Sequence, residues 1–141
     1  MKIAIASDHA GYQMKEQMKQ HLTETGVEWI DCGTNNDTSC DYPVFAQKLC
    51  HEILCGNAEK GILICGTGIG MSIAANKVRG IRAALCSDCF STKYTRLHND
   101  SNVMCLGARV IGQGLAEELA DIFLNTFFEG GKHLKRIEMF E

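Results

Sequence analysis

The sequence predicts an α/β protein: a Rossmann-like, three-layer α/β/α arrangement built on a five-stranded parallel sheet. Two observations predict it. Five short apolar runs alternate along the chain with stretches of helical periodicity. Those runs are continuously apolar, as strands covered by helices on both faces must be. The 141 residues contain no repeat, linker or low-complexity segment, so a single domain over 1–141 is expected.

Each element has its own signal. Lys2 to Ala6 reads as the first strand. Ala10 to Thr25 reads as an amphipathic helix with Met14, Met18 and Leu22 on one face and lysines between. Val27 to Asp31 is the second strand. Pro43, the only proline, suits the first turn of a helix running to about Leu54. Gly61 to Ile64 and Ile81 to Leu85 are the third and fourth strands, and a helix starts near Ser72 between them. Asp88 to His98 is helical, Asn102 to Leu106 is the fifth strand, and Gln113 to Phe128 is a long last helix. Gly130 and Gly131 break it, leaving a short tail with Lys132, His133, Lys135 and Arg136.

Composition narrows the function. A formal charge of −3 argues against general nucleic-acid binding, which needs a basic face. No run approaches the ~18 apolar residues of a membrane span, and the N-terminal apolar stretch is too short for a signal peptide. A cytoplasmic protein is expected. Eight cysteines raise zinc or disulfides. Only Cys86 and Cys89 form a Cys-x-x-Cys, with no second knuckle and no spaced His pair, so no metal site is expected. In a reducing compartment the thiols pack as small hydrophobes.

The most telling stretch runs from Gly61 to Ser72: a buried strand ending at Cys65, a turn containing Gly66, Gly68 and Gly70, then a helix start. Bare backbone N–H groups at a helix N-terminus stabilise negative charge, on a sulfur or on a substrate oxygen. A dinucleotide fingerprint would follow the first strand and carry a third glycine at Met71, and a phosphate loop would end in Gly-Lys-Ser/Thr; neither fits. Ligands of such sheets bind at the carboxyl ends of strands. Ser7-Asp8-His9, Cys65-Gly66-Thr67, Ser87-Asp88 and Gly107-Ala108-Arg109 all fall there. Taken singly, Asp8 can equally cap the next helix, and His98 can complement a helix C-terminal dipole.

Together these pieces resemble the sugar-phosphate isomerase family that contains type B ribose-5-phosphate isomerase and galactose-6-phosphate isomerase. The resemblance spans nearly the whole chain. It rests on Ser7-Asp8-His9-Ala10-Gly11, Asp41-Tyr42-Pro43, Cys65 through Ser72, His98-Asn99-Asp100, Leu106-Gly107-Ala108-Arg109 and Phe128 through His133. It implies cofactor-free aldose–ketose isomerisation of a phosphorylated sugar through an enediolate, with ribose 5-phosphate and ribulose 5-phosphate as the favoured pair. A hexose phosphate, allose 6-phosphate or galactose 6-phosphate, is the alternative; a non-catalytic sugar-phosphate sensor is a third.

The resemblance also implies roles. Cys65 is the base and Thr67 supports the proton transfer. The loop N–H groups of Gly66, Gly68, Ile69 and Gly70 hold the enediolate oxygens. His98 with Asp8 opens the ring, Asn99 binds the sugar, and Tyr42 lines the site. His9, Arg109, Lys132 and Arg136 hold the phosphate. Two positions depart from the family: Lys132 stands where Arg is usual, and Val44-Phe45 where a second acidic-aromatic pair is common. A homodimer, or a dimer of dimers, is implied, with sites shared between subunits and completed by the tail from about 130. The expected division puts Cys65 and the tail on one subunit, and His98, Asn99 and Arg109 on the other.

Overall fold

A computed structural model describes all of residues 1–141. Along the chain come β1 (Lys2–Ser7), α1 (Tyr12–Glu24), β2 (Glu28–Asp31), α2 (Tyr42–Leu54), β3 (Lys60–Cys65) and α3 (Ile69–Asn76). Then follow β4 (Ala83–Leu85), α4 (Cys89–Asn99), β5 (Val103–Gly107), α5 (Gln113–Asn125) and α6 (Lys132–Ile137). The five strands form one parallel sheet in the order β2-β1-β3-β5-β4. This is the three-layer α/β/α arrangement the sequence predicts. No helix is long and apolar enough to cross a membrane.

Alternation along the strands sends side chains to two cores. Ile3, Ile5, Ile62, Ile64, Met104 and Leu106 pack against Met14, Met18 and Leu22 of α1 and Leu119 and Phe123 of α5. Ala4, Ala6, Leu63, Cys65, Val103 and Cys105 pack against Leu49 of α2 and Met71 and Ala75 of α3. The small residues on this second face let α2 and α3 lie close to the sheet. Cys50 and Cys105 are core residues here, as the composition suggests.

Two elements differ from the sequence reading. The last long helix stops at Asn125 instead of Phe128. Buried Arg96 donates from Nε to the Thr126 carbonyl, and Thr126 takes an extended conformation that ends the helix. The tail after Gly131 is itself a helix, α6, held down by buried His133 and Ile137. Six residues with one apolar anchor give too little periodicity to read from sequence.

One ion network ties β2 to α1. Lys15 is fully buried, and its Nζ lies 2.7 and 2.6 Å from the two Asp31 carboxylate oxygens. Lys19 reaches Asp31 Oδ2 at 2.8 Å, and the Gly33 N–H donates to Asp31 Oδ1 at 2.9 Å. Burial works to raise the Asp31 carboxyl, but the hydrogen bonds from Lys15, Lys19 and the Gly33 N–H hold it below its ordinary value. Beyond Gly33 the chain clasps β1: the Ser7 N–H donates to the Gly33 carbonyl at 2.6 Å and the Thr34 N–H to the Ser7 carbonyl at 2.7 Å. The network thereby fixes the β1 end that carries Asp8.

Asp31→Asn should leave the buried Lys15 ammonium with only Glu16 Oε1, at 3.2 Å, as a counter-ion, and cost up to about 3 kcal/mol in urea unfolding. A carboxyl depressed in the folded state stabilises above its unfolded value and loses that contribution as pH falls through the folded one. Wild-type stability should therefore drop below about pH 4, and the Asn variant should lack that part of the drop. Equal stability of the two proteins at pH 7 would contradict the role given to this pair.

Candidate active site

The carboxyl ends of β1, β3 and β5 meet in one cluster. Register places Ser7 beside Ile64 and Cys65 beside Gly107. Beyond β1, Asp8 donates its N–H to the Ile64 carbonyl at 3.1 Å. Its Oδ1 accepts the N–H groups of Ala10 and Gly11 at 2.9 and 3.1 Å, while Oδ2 takes no hydrogen bond. Asp8 thus both braces the turn into α1 and keeps one carboxylate oxygen free. His9 Nδ1 accepts the Cys40 N–H at 3.3 Å. That fixes the tautomer: Nε2 carries the proton and is the free donor.

Beyond β3 the loop closes on Cys65. The Gly68 N–H donates to Cys65 Sγ at 3.1 Å. Gly68 has φ +78°, and a Cβ there would lie 2.9 Å from the Leu106 carbonyl carbon, so only glycine makes this turn. The Ile69 N–H is taken by Thr67 Oγ1 at 3.2 Å. The sequence reading expects a continuous fan of free N–H groups, and two of them, Gly68 and Ile69, are engaged inside the loop. The N–H groups of Gly66, Thr67 and Gly70 donate to nothing in the protein. The Tyr42 ring lies over Gly70, where a Cβ would come within 2.6 Å of it.

Arg109 belongs to this same edge. Its N–H donates to the Gly66 carbonyl at 2.9 Å, and its Nη1 lies 3.4 Å from where a Gly66 Cβ would stand. His98 and Asn99 do not. They close α4, which starts at the carboxyl end of β4 and runs back to the opposite edge of the sheet. There Arg82 binds the carbonyls of Asn99 and Asp100, and Asn102 just before β5 accepts the Gly61 N–H at the start of β3. From that edge to Cys65 is roughly 17 Å, five strand steps.

The tail lies with His98. The His133 ring stacks on His98 with centroids 4.0 Å apart and planes 11° from parallel. The Glu129 N–H donates to the Leu97 carbonyl at 3.1 Å. Burial pushes the His133 imidazole below its ordinary value, and His98 and the Lys132 ammonium act in the same sense. The expected division is therefore corrected on both counts. Arg109 sits with Cys65, and Lys132 and Arg136 on α6 sit with His98 and Asn99. Chain direction is the reason: Arg109 directly follows a strand, whereas the tail packs on the far end of α4.

No enclosed cavity touches Cys65 in one chain. A cavity of about 330 Å³ lies on the His98 edge, lined by Arg82, Asn99 and Phe140 among others. A broader hollow of about 660 Å³ lies between the end of β2 and α2. Sequence reasoning missed the Cys40 backbone contact to His9, and the packing of Glu129 and His133 on His98. Glu129 directly before Gly130-Gly131 and His133 two residues after them were the available signal for the second.

Burial disfavours the thiolate at several of the other cysteines. Burial pushes Cys32 and Cys50 up to about 11, and Cys105 well above its ordinary value. Iodoacetamide near pH 7.5, with sites mapped by mass spectrometry, should label Cys65 and exposed Cys55 well before Cys32, Cys50 or Cys105. A sugar phosphate should protect Cys65 and not Cys55. Labelling of Cys50 or Cys105 as fast as Cys65 would contradict the assignment.

A family model described as Ribose/Galactose Isomerase matches residues 3–140. The ribose-5-phosphate isomerase B of Escherichia coli is 47% identical over 97% of this chain and 92% of its own. The D-erythrulose-4-phosphate isomerase of Pectobacterium atrosepticum is 42% identical over 98% of this chain and 91% of its own. The solved ribose-5-phosphate isomerase B of Clostridium thermocellum superposes with a TM-score of 0.97 at 46% identity, covering 99% of this chain and 94% of that one. A thiol ringed by backbone donors on such a sheet, with these likenesses across almost every residue, places the chain in the ribose/galactose isomerase family.

Proposed function

We propose that this protein interconverts ribose 5-phosphate and ribulose 5-phosphate by cofactor-free proton transfer, in a site shared by two chains. The observation that carries the proposal is Cys65 Sγ under the Gly68 N–H, beside the unengaged N–H groups of Gly66, Thr67 and Gly70. A thiolate there removes the proton from C2 of the open aldose. Electrons move into the C1 carbonyl, and the enediolate oxygens accept the free N–H groups. The proton returns to C1 while the C2 hydroxyl proton passes to O1, giving the ketose. Thr67 already accepts the Ile69 N–H, so its own hydroxyl hydrogen is available to the substrate oxygens.

The ring must open first. His98 acts on the ring oxygen, and the free Oδ2 of Asp8 accepts the anomeric hydroxyl proton. Those two residues stand on opposite sheet edges of one chain, and a second copy supplies the missing set. Asp8, His9, Tyr42, Cys65, Thr67, the loop and Arg109 come from one subunit; His98, Asn99, Lys132 and Arg136 come from its partner. His9 Nε2–H and the three cationic side chains then converge on the phosphate. The reading is supported by apolar side chains exposed around the Cys65 edge: Ile69 49%, Ile73 57%, Phe90 70% and Val110 60%. Eight cysteines, none of them paired, suit a reducing cytoplasm.

Sugar length is decided by turnover. Ribose 5-phosphate should be converted with higher kcat/KM than allose 6-phosphate or galactose 6-phosphate, and the tetrose phosphates named by the Pectobacterium relative form the fourth arm. Cys65→Ala should lower kcat by 10²-fold or more, since that is roughly what loss of a proton-transfer group costs. His98→Ala should slow ribose 5-phosphate, which is mostly cyclic, far more than erythrose 4-phosphate, which cannot close the same ring. More than a tenth of wild-type kcat in Cys65→Ala, or equal losses on both sugars in His98→Ala, would contradict these roles.

A further inference from the structure

The stacked pair at the end of α4 has a third member. Glu129 Oε2 lies 3.9 Å from His98 Nε2 and 3.6 Å from His133 Nε2. One donor atom from each of the three falls within 4.8 Å of the other two. The side chains come from three places: the end of α4, the loop after α5 and the first turn of α6. That loop is pinned to α4 through the Glu129 N–H on the Leu97 carbonyl and through Arg96 on the Thr126 carbonyl. The donors are therefore brought together by tertiary structure and not by chance on one flexible segment.

We propose that His98, Glu129 and His133 form a binding site for Zn²⁺ or a similar borderline divalent ion. Two imidazoles and one carboxylate, with further positions open to water, are a donor set that suits zinc. Bonds of about 2.0–2.2 Å to a common ion put the donors of a tetrahedron roughly 3.3 Å apart. The triad must therefore contract by up to about 1.5 Å, and one imidazole must turn, because parallel rings cannot both aim lone pairs at one ion. Nothing prevents the turn. Neither the His98 ring nor the Glu129 carboxylate makes a hydrogen bond, and both are partly exposed. A turn of His98 gives up its stacking on His133 and alters its edge-on contact with Tyr94, whose ring centroid lies 5.0 Å away.

The site has a consequence that rests on the ring-opening role proposed above. An ion on His98 ties the ring to Glu129 and His133 and away from the sugar. Zinc should then inhibit turnover of a cyclic substrate, and chelation should restore it. The metal holds the same imidazole that opens the sugar ring, so metal and catalysis exclude each other.

Co²⁺ is the probe, because its absorption distinguishes sulfur from nitrogen and oxygen donors. Cys55 lies 3.5 Å from His51 Nε2 and could hold a second ion, so the titrations use the Cys55→Ser protein throughout. Expected is a visible cobalt spectrum without the sulfur-to-cobalt charge-transfer band, displaced by Zn²⁺. Glu129→Gln, at an exposed position outside the proposed catalytic set, should weaken cobalt at least tenfold while keeping wild-type turnover in metal-free buffer. His133→Asn should weaken it further, with the fold checked by circular dichroism. Unchanged affinity in both variants, or a spectrum dominated by sulfur, overturns the site. Cobalt bound at the triad with ribose 5-phosphate turnover undiminished overturns the role given to His98 and leaves the site standing.

Discussion

In a parallel sheet a strand and the helix that follows it run in opposite directions, and that constraint governs this molecule. Whatever a strand end carries stays on one edge; whatever the following helix end carries is delivered to the other. β3 brings Cys65 to the carboxyl edge, and α4 carries His98 and Asn99 back to the amino edge. The tail follows His98 because α6 packs on α4. Two clusters of proposed site residues result, one on each edge. The carboxyl edge has a thiol, backbone donors, a free carboxylate oxygen and one guanidinium. The amino edge has an imidazole pair, an asparagine and two further cations.

Each half is held by packing remote from the chemistry. The buried Lys15–Asp31 pair fixes β2 against α1, and the segment beyond β2 clasps the end of β1 from which Asp8 departs. Arg96 is the counterpart on the other edge. It is 5% exposed and binds Asp100 Oδ1 and the carbonyls of Ser101 and Thr126. One side chain therefore joins the end of α4, the start of β5 and the exit of α5. Buried charge of this sort is costly unless fully paired, and here each partner is satisfied. The gain is placement: the catalytic candidates sit on loop ends whose backbones are fastened by the protein's own hydrogen bonds.

Much of this was legible in the residues. Continuous apolar runs identified the five strands because burial on both faces leaves no polar alternation to confuse them. The Cys65 loop was legible because glycine at Gly68 and Gly70 answers to specific close contacts. The partition of the site was not. Arg109 and the tail cations look alike in sequence, and only the direction of the elements separates them. α6 was hidden by its length, and the end of α5 by a tertiary contact from Arg96 that no local pattern encodes. The stacking of His133 on His98 joins residues 35 positions apart and leaves no trace in spacing.

The division of labour between two edges of two chains is the central claim, and hybrid enzymes test it directly. Cys65→Ala and His98→Ala proteins, each inactive, are mixed, denatured reversibly and refolded together. Half of a random mixture is hybrid dimer, each with one doubly damaged site and one intact site, so activity should return to about a quarter of wild type. Cys65→Ala mixed with Arg109→Ala should recover nothing, because both lesions belong to the same edge. Recovery in the second mixture, or none in the first despite hybrids seen by native mass spectrometry, would contradict the account.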